Sequence, residues 1–123
     1  MIGLRWYNSF MIITKNSTYT KTEIQQLCEQ FGTYIKTVID VENKVCSAGC
    51  DRHFESEKIL LDKESKQGNL WGGGIDLDTK IIDGNSFINI RPGQGNTSNE
   101  IQDKHIRDTF EKLMKYFFAV IYE

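Results

Sequence analysis

The chain has 123 residues, 39% hydrophobic and 26% charged, which suits one ordinary globular domain and excludes disordered and fibrous classes. A net charge of -2 and a pI near 5.7 exclude general nucleic-acid binding through a basic surface. No apolar run approaches the ~18 residues of a membrane span, so no membrane association is expected; the longest is Tyr116 to Tyr122.

The first ten residues lack the pattern of a secretory signal, so they read as an upstream extension before a natural start at Met11, with residues 1–123 as a single domain. Phe10 to Thr14 suits a short strand, broken by Asn16, Ser17 and Thr18. Thr20 and Glu23 form a capping-box signature, in which hydroxyl and carboxylate each satisfy a first-turn N–H. Ile24, Leu27, Cys28 and Phe31 then recur at helical spacing, and Gly32 can end the helix.

Tyr34 to Val41 alternates with period two, putting Ile35, Ile39 and Val41 on one face and Lys36, Val38 and Asp40 on the other. Glu42 to Lys44 reads as a hairpin turn and Val45 to Gly49 as the returning strand. A second helix is expected from about Asp51, as cap, to Glu64, with Ile59, Leu60 and Leu61 in the core. Leu70 to Leu77 reads as a strand in which Gly72, Gly73 and Gly74 admit a bulge or a close neighbour.

Ile81 to Arg91 reads as its antiparallel partner, with Ile88 and Ile90 on one face, Asn89 and Arg91 on the other, and Pro92 at its end. Gly93 to Asn99 is a loop, and a last helix runs from Ile106 to Ile121. The fold class is α+β: a mostly antiparallel sheet of four to five strands with about three helices, in the order β-α-ββ-α-ββ-α.

His53 and Glu57 share a helix face, where a carboxylate can orient an imidazole as acid or base; the plainer reading is a surface pair at helical spacing. Arg91 offers a planar fork for carboxylate or phosphate, while Asn89, Gln94 and Asn96 flank a Gly-rich loop without a nucleotide-binding fingerprint. Lys66 and Gln67 precede Trp71, which can stack on a ligand ring or fill the core. Cys28, Cys46 and Cys50, even with His53, lack zinc-site spacing, so no metal or other cofactor is expected. An odd number of thiols in a chain without a leader suits the cytoplasm.

The stretches Val38-Ile39-Asp40-Val41-Glu42, His53-Phe54-Glu55-Ser56-Glu57, Ser65-Lys66-Gln67, Leu70-Trp71-Gly72 and Ser86-Phe87-Ile88-Asn89-Ile90-Arg91-Pro92, with Gln94-Gly95-Asn96, resemble a family of small bacterial proteins, the domain of unknown function 5674. The resemblance runs from about Met11 to Leu113. It departs at Glu55, where the family has Asp, at Gly74, where it has Asn, and at the cysteines. It carries no activity, but implies that His53, Glu57, Lys66, Gln67, Trp71, Asn89, Arg91 and Asn96 form one motif set.

The functional expectation is a small metal-independent enzyme, or a binding site, for a phosphate-bearing or nucleotide-like ligand. His53 and Glu57 would do the chemistry; Lys66, Gln67, Trp71, Asn89, Arg91, Gln94 and Asn96 would bind. The alternative is a regulatory module whose open sheet face, carrying Lys36, Asp40, Asn89 and Arg91, meets a protein partner or forms a homodimer.

Overall fold

The computed structural model describes residues 11–123, so the proposed extension and Phe10 lie outside the described residues. Five strands form one antiparallel sheet: β1 (Ile13–Lys15), β2 (Tyr34–Asp40), β3 (Val45–Ala48), β4 (Leu70–Asp76) and β5 (Ile81–Asp83), in the order β1-β3-β2-β4-β5. Three helices, α1 (Lys21–Phe31), α2 (His53–Asp62) and α3 (Lys104–Phe117), complete the α+β order β-α-ββ-α-ββ-α.

Local chemistry sets most of these boundaries. Thr20 Oγ1 accepts from Glu23 N at 3.1 Å while Glu23 Oε1 accepts from Thr20 N at 2.8 Å, closing the expected capping box. At α2 the cap is Arg52 rather than Asp51. Glu55 reaches back to accept from the backbone N–H groups of Asp51 and Arg52 at 3.0 and 2.9 Å, so the first turn needs no capping side chain from Asp51.

The alternation of β2 divides the core. On one face, Ile35 and Ile39 join Trp71 and Ile75 under Ile24 and Leu27 of α1 and Phe110, Met114 and Phe117 of α3. On the other, Val38 and Leu70 are covered by Leu60 of α2 and by half-buried Ile88. Burying each such side chain contributes roughly 1.5 to 3 kcal/mol, so α2 is held to this face by a real if smaller apolar contact. The Ser47 hydroxyl donates to Ser56 Oγ at 2.9 Å, adding a buried polar link between β3 and α2.

The second face is therefore not the open surface the sequence suggested. Asp40 and Asn89 are 0% exposed and Arg91 is 9% exposed. Nor does the strand beginning at Ile81 reach Arg91. It ends at Asp83, because Ser86 Oγ accepts from Ile88 N at 3.2 Å and starts a 3-10 turn over Phe87–Asn89. Pro92 opens a second 3-10 turn, Pro92–Gln94, which Gly95 closes at φ 80°.

At the C-terminus, α3 stops at Phe117 and the chain continues as a 3-10 turn over Ala119–Tyr122. Among the described residues no helix is long and apolar enough to cross a membrane.

Candidate functional site

The three glycines of β4 bring side chains from distant segments onto bare backbone. A Cβ at Gly72 would lie 2.7 Å from Ser86 Cβ and 3.1 Å from His53 Cδ2, and one at Gly74 would overlap the Tyr34 hydroxyl. Alternation puts Gly72 and Gly74 on the α2 side of the sheet, where they let His53, Ser86 and Tyr34 lie flat against it. A cleft of about 420 Å³ opens there, within the usual range for small-molecule sites.

Its walls come from three elements. Lys36 rises from β2; Arg52, His53 and Phe54 are the cap and first two residues of α2; Ser86, Phe87 and Ile88 belong to the 3-10 turn after β5. The N-terminus of α2 thus borders the cleft, but the Glu55 carboxylate already engages its leading N–H groups, so the positive character of the cleft comes from Lys36 and Arg52. Lys36 Nζ donates to Asp51 O at 2.8 Å, which leaves two ammonium hydrogens uncommitted. No ion pair among the described residues engages Arg52. Phe54 and Phe87 are 49% and 86% exposed, an unusual outlay of aromatic surface around one cleft.

His53 Nε2 stands 2.7 Å from Gly73 O. A carbonyl oxygen only accepts, so Nε2 carries the hydrogen and Nδ1 of the neutral ring holds a lone pair. Nδ1 makes no hydrogen bond among the described residues and is not sealed from solvent. Burial, with the nearby Lys36 charge, pushes the imidazole below its ordinary value, against the opposing pull of the Gly73 carbonyl and Asp83. The ring is thus held neutral, in one tautomer, as a proton acceptor.

A second cleft of about 220 Å³ lies alongside, lined by Tyr34, Lys36, Cys50 and Asp51, so Lys36 is a wall common to both. Tyr34 Oη donates to Asp83 Oδ2 at 2.8 Å across Gly74. Burial, together with this carboxylate, pushes the phenol above its ordinary range.

The other expected site residues gather elsewhere. Glu57 does not meet His53: its Oε2 accepts from Gln67 Nε2 at 3.4 Å, while the imidazole turns inward to Gly73. Arg91 donates through Nε to Ile88 O at 3.0 Å, through Nη1 to Gln67 O at 2.8 Å and Gln94 Oε1 at 3.3 Å, and through Nη2 to Leu70 O. Its guanidinium lies 4.3 Å from the centre of the buried Trp71 ring. Gln94 Nε2 donates to Gly68 O at 3.2 Å, and Lys66 is exposed at the start of the 3-10 turn Gln67–Asn69.

Asn89 accepts from Gly72 N at 2.8 Å and shares its amide hydrogens among Gly72 O, Gly84 O and Asn99 O, each at 3.0 Å. Asn96 Nδ2 likewise donates to Asn89 O, Ser98 O and Glu100 O at 2.8 to 2.9 Å. Arg91 and Asn89 tie the irregular segment 84–102 to the start of β4, and Asn96 closes the segment on itself. That brace sets Ser86 and Phe87 at the rim of the cleft.

Arg52, Phe54, Ser86 and Phe87 were not singled out from the sequence, although Phe54, Ser86 and Phe87 lie inside the quoted motifs, and Lys36 was named only as part of an open sheet face. The available signal was two aromatic residues beside polar turns. Among the described residues no group of three His, Cys, Asp or Glu side chains could hold a metal ion.

These motifs sit at the cleft and its brace, and residues 11–117 match the family described as "Protein of unknown function (DUF5674)". The chain belongs to the DUF5674 family. No curated protein and no solved structure matches this DUF5674 chain.

Proposed function

We propose that the domain binds a phosphate-bearing ligand in the larger cleft, with His53 Nδ1 as the proton acceptor for a reaction on it. The observation that carries this reading is the meeting of Lys36, Arg52 and a neutral, tautomer-fixed His53 in one cleft. Lys36 and Arg52 would hold the phosphate oxygens. His53 Nδ1 would take the proton of a hydroxyl or water as its oxygen bonds to phosphorus and the P–O bond to the leaving group breaks, the departing oxygen taking up a proton from the imidazolium or from water, while the two cations stabilise the developing charge.

The roles of orienting the base and holding the anion fall in this reading to groups other than Glu57 and Arg91. Gly73 O holds the His53 tautomer in place of Glu57. Lys36 and Arg52 hold the anion, because the guanidinium of Arg91 is committed to backbone carbonyls. Gln67, Trp71, Asn89, Gln94 and Asn96 support the cleft through the brace and the turn it grips, and Lys66 stands exposed at the start of that turn.

Isothermal titration with a nucleoside monophosphate tests the reading. Lys36→Ala and Arg52→Ala should each weaken binding about tenfold, the loss of one charge-assisted contact, whereas His53→Gln should leave affinity within about threefold. Unchanged affinity in either cation variant would refute the site.

A further inference from the structure

The two clefts share Lys36 yet differ in chemistry on either side of it. On the α2 side stand the exposed rings of Phe54 and Phe87, from separate elements, offering flat apolar surface. On the other side stand the Tyr34 hydroxyl and Asp51. The Asp51 carboxylate enters no ion pair among the described residues, and the Tyr34 hydrogen is already given to Asp83. Both groups therefore present acceptors to the second cleft. A carboxylate repels phosphate but accepts hydroxyl donors, so the second cleft is suited to a sugar rather than to a further phosphate.

Aromatic wall, cation and acceptor pair thus follow one another along the face of the sheet. A nucleoside monophosphate ends at its phosphate and leaves the acceptor pair unused. We infer that the ligand continues beyond its phosphate: a nucleoside phosphodiester whose base stacks on Phe87, whose phosphate meets Lys36 and Arg52, and whose second sugar gives its hydroxyl hydrogens to Asp51 and Tyr34. The inference rests on the phosphate reading above and extends it to a substrate class. Base–aromatic stacking tolerates any base, so the wall selects for a flat ring and the acceptor pair for a hydroxylated far end.

The test is a calorimetric comparison of three probes, inorganic phosphate, a nucleoside 5′-monophosphate and a dinucleoside monophosphate, on the full chain and on Phe87→Ala, Asp51→Ala and Lys36→Ala. All three side chains are outside the buried core, so the variants should fold. The expected order of affinity is dinucleoside monophosphate, then mononucleotide, then phosphate. Phe87→Ala should weaken both nucleoside probes about tenfold and spare phosphate, in line with the usual effect of removing a stacking ring. Asp51→Ala should weaken only the dinucleoside probe, by about fivefold, and leave or improve the other two.

A short single-stranded oligonucleotide separates the two sources of such a diester. Affinity well above the dinucleoside's assigns the cleft to strands, and equal affinity assigns it to free dinucleotides; either supports the inference. A dinucleoside probe that binds no tighter than the mononucleotide, or an Asp51→Ala variant that weakens both alike, overturns it while leaving the phosphate reading intact. Lys36→Ala without effect on any probe overturns both.

Discussion

His53 and Gly73, on α2 and β4, are joined by a 2.7 Å hydrogen bond from the imidazole Nε2 to the carbonyl oxygen. The bond fixes which nitrogen is free, and the burial that comes with it holds the ring below its ordinary value of 6.5. Between that value and the lowered folded one, the unfolded chain takes up a proton that the fold resists, so proton uptake favours unfolding. The contribution of His53 to stability is complete above 6.5 and is lost as pH falls from there through the folded value. Thermal midpoints measured from about pH 8 to about pH 5 should fall for the wild type and fall less steeply for His53→Gln. Equal slopes would show that the ring is not held neutral.

Asn89 carries a different kind of prediction. Its fully buried amide bonds both the N–H and C=O of Gly72 and two half-buried loop carbonyls. Asn89→Ala strands several of these groups, each costing about 1 to 3 kcal/mol if left unpaired, and water entering the gap offsets part. A net loss of about 3 kcal/mol in chemical denaturation is expected. Because the brace also places Ser86 and Phe87, ligand affinity should fall with it. A loss below about 1 kcal/mol would mean that the segment 84–102 is held by other contacts.

The regular elements were legible because their signals are local. The Thr20–Glu23 box, the alternation from Tyr34 and the helical stripe through Phe110 and Phe117 each specify structure within one or two turns of chain. Residues 84–91 were misread as the continuation of a strand because Ile88 and Ile90 mimic its period, whereas 93–99 was read as the loop it is. The deciding interactions, Ser86 as cap and Asn89 reaching Gly72, involve a turn and a contact across 17 residues. The cleft was only half legible for the same reason. His53 is visible as a chemical group, but its partner is a backbone carbonyl, which no side-chain pattern reveals.

Asp40 should govern acid stability. Although burial pushes its carboxyl up, hydrogen bonds from Asn43 N at 2.9 Å, Ser65 Oγ at 2.7 Å, Asn43 Nδ2 at 2.9 Å and Glu42 N at 3.1 Å prevail and hold it below the ordinary 3.8. A depressed carboxyl contributes stability that is full above 3.8 and lost as pH falls through the folded value. Asp40→Asn cannot titrate and cannot accept the same set of bonds, so it should cost about 2 kcal/mol at neutral pH. Its denaturation free energy should also vary less with pH in the acid range than the wild type's. A variant as stable as wild type at neutral pH would remove Asp40 from the account of the β2–β3 turn.

Neighbouring glycines on opposite faces of β4 separate the fold from the site. A Cβ at Gly73 would overlap the Asp83 carbonyl oxygen of β5 and lie 2.7 Å from Phe110 Cζ, against backbone and core that cannot both yield. Gly73→Ala should therefore cost about 3 kcal/mol through overpacking and loosen the β4–β5 pairing. At Gly72 the obstruction is Ser86 Cβ at 2.7 Å, which yields only with a shift of the 3-10 turn that carries it, and the edge of the His53 ring at 3.1 Å, which can swing toward the cleft. Gly72→Ala should cost about 2 kcal/mol, less than Gly73→Ala because one neighbour can turn away, and displace both groups. Paired denaturation and imidazole NMR spectra read the two effects separately: Gly73→Ala lowers stability most, and Gly72→Ala shifts the His53 ring resonances and weakens nucleotide binding while the domain stays folded. The reverse order of stabilities would mean that β5, rather than the His53 side of the sheet, is the yielding neighbour of β4.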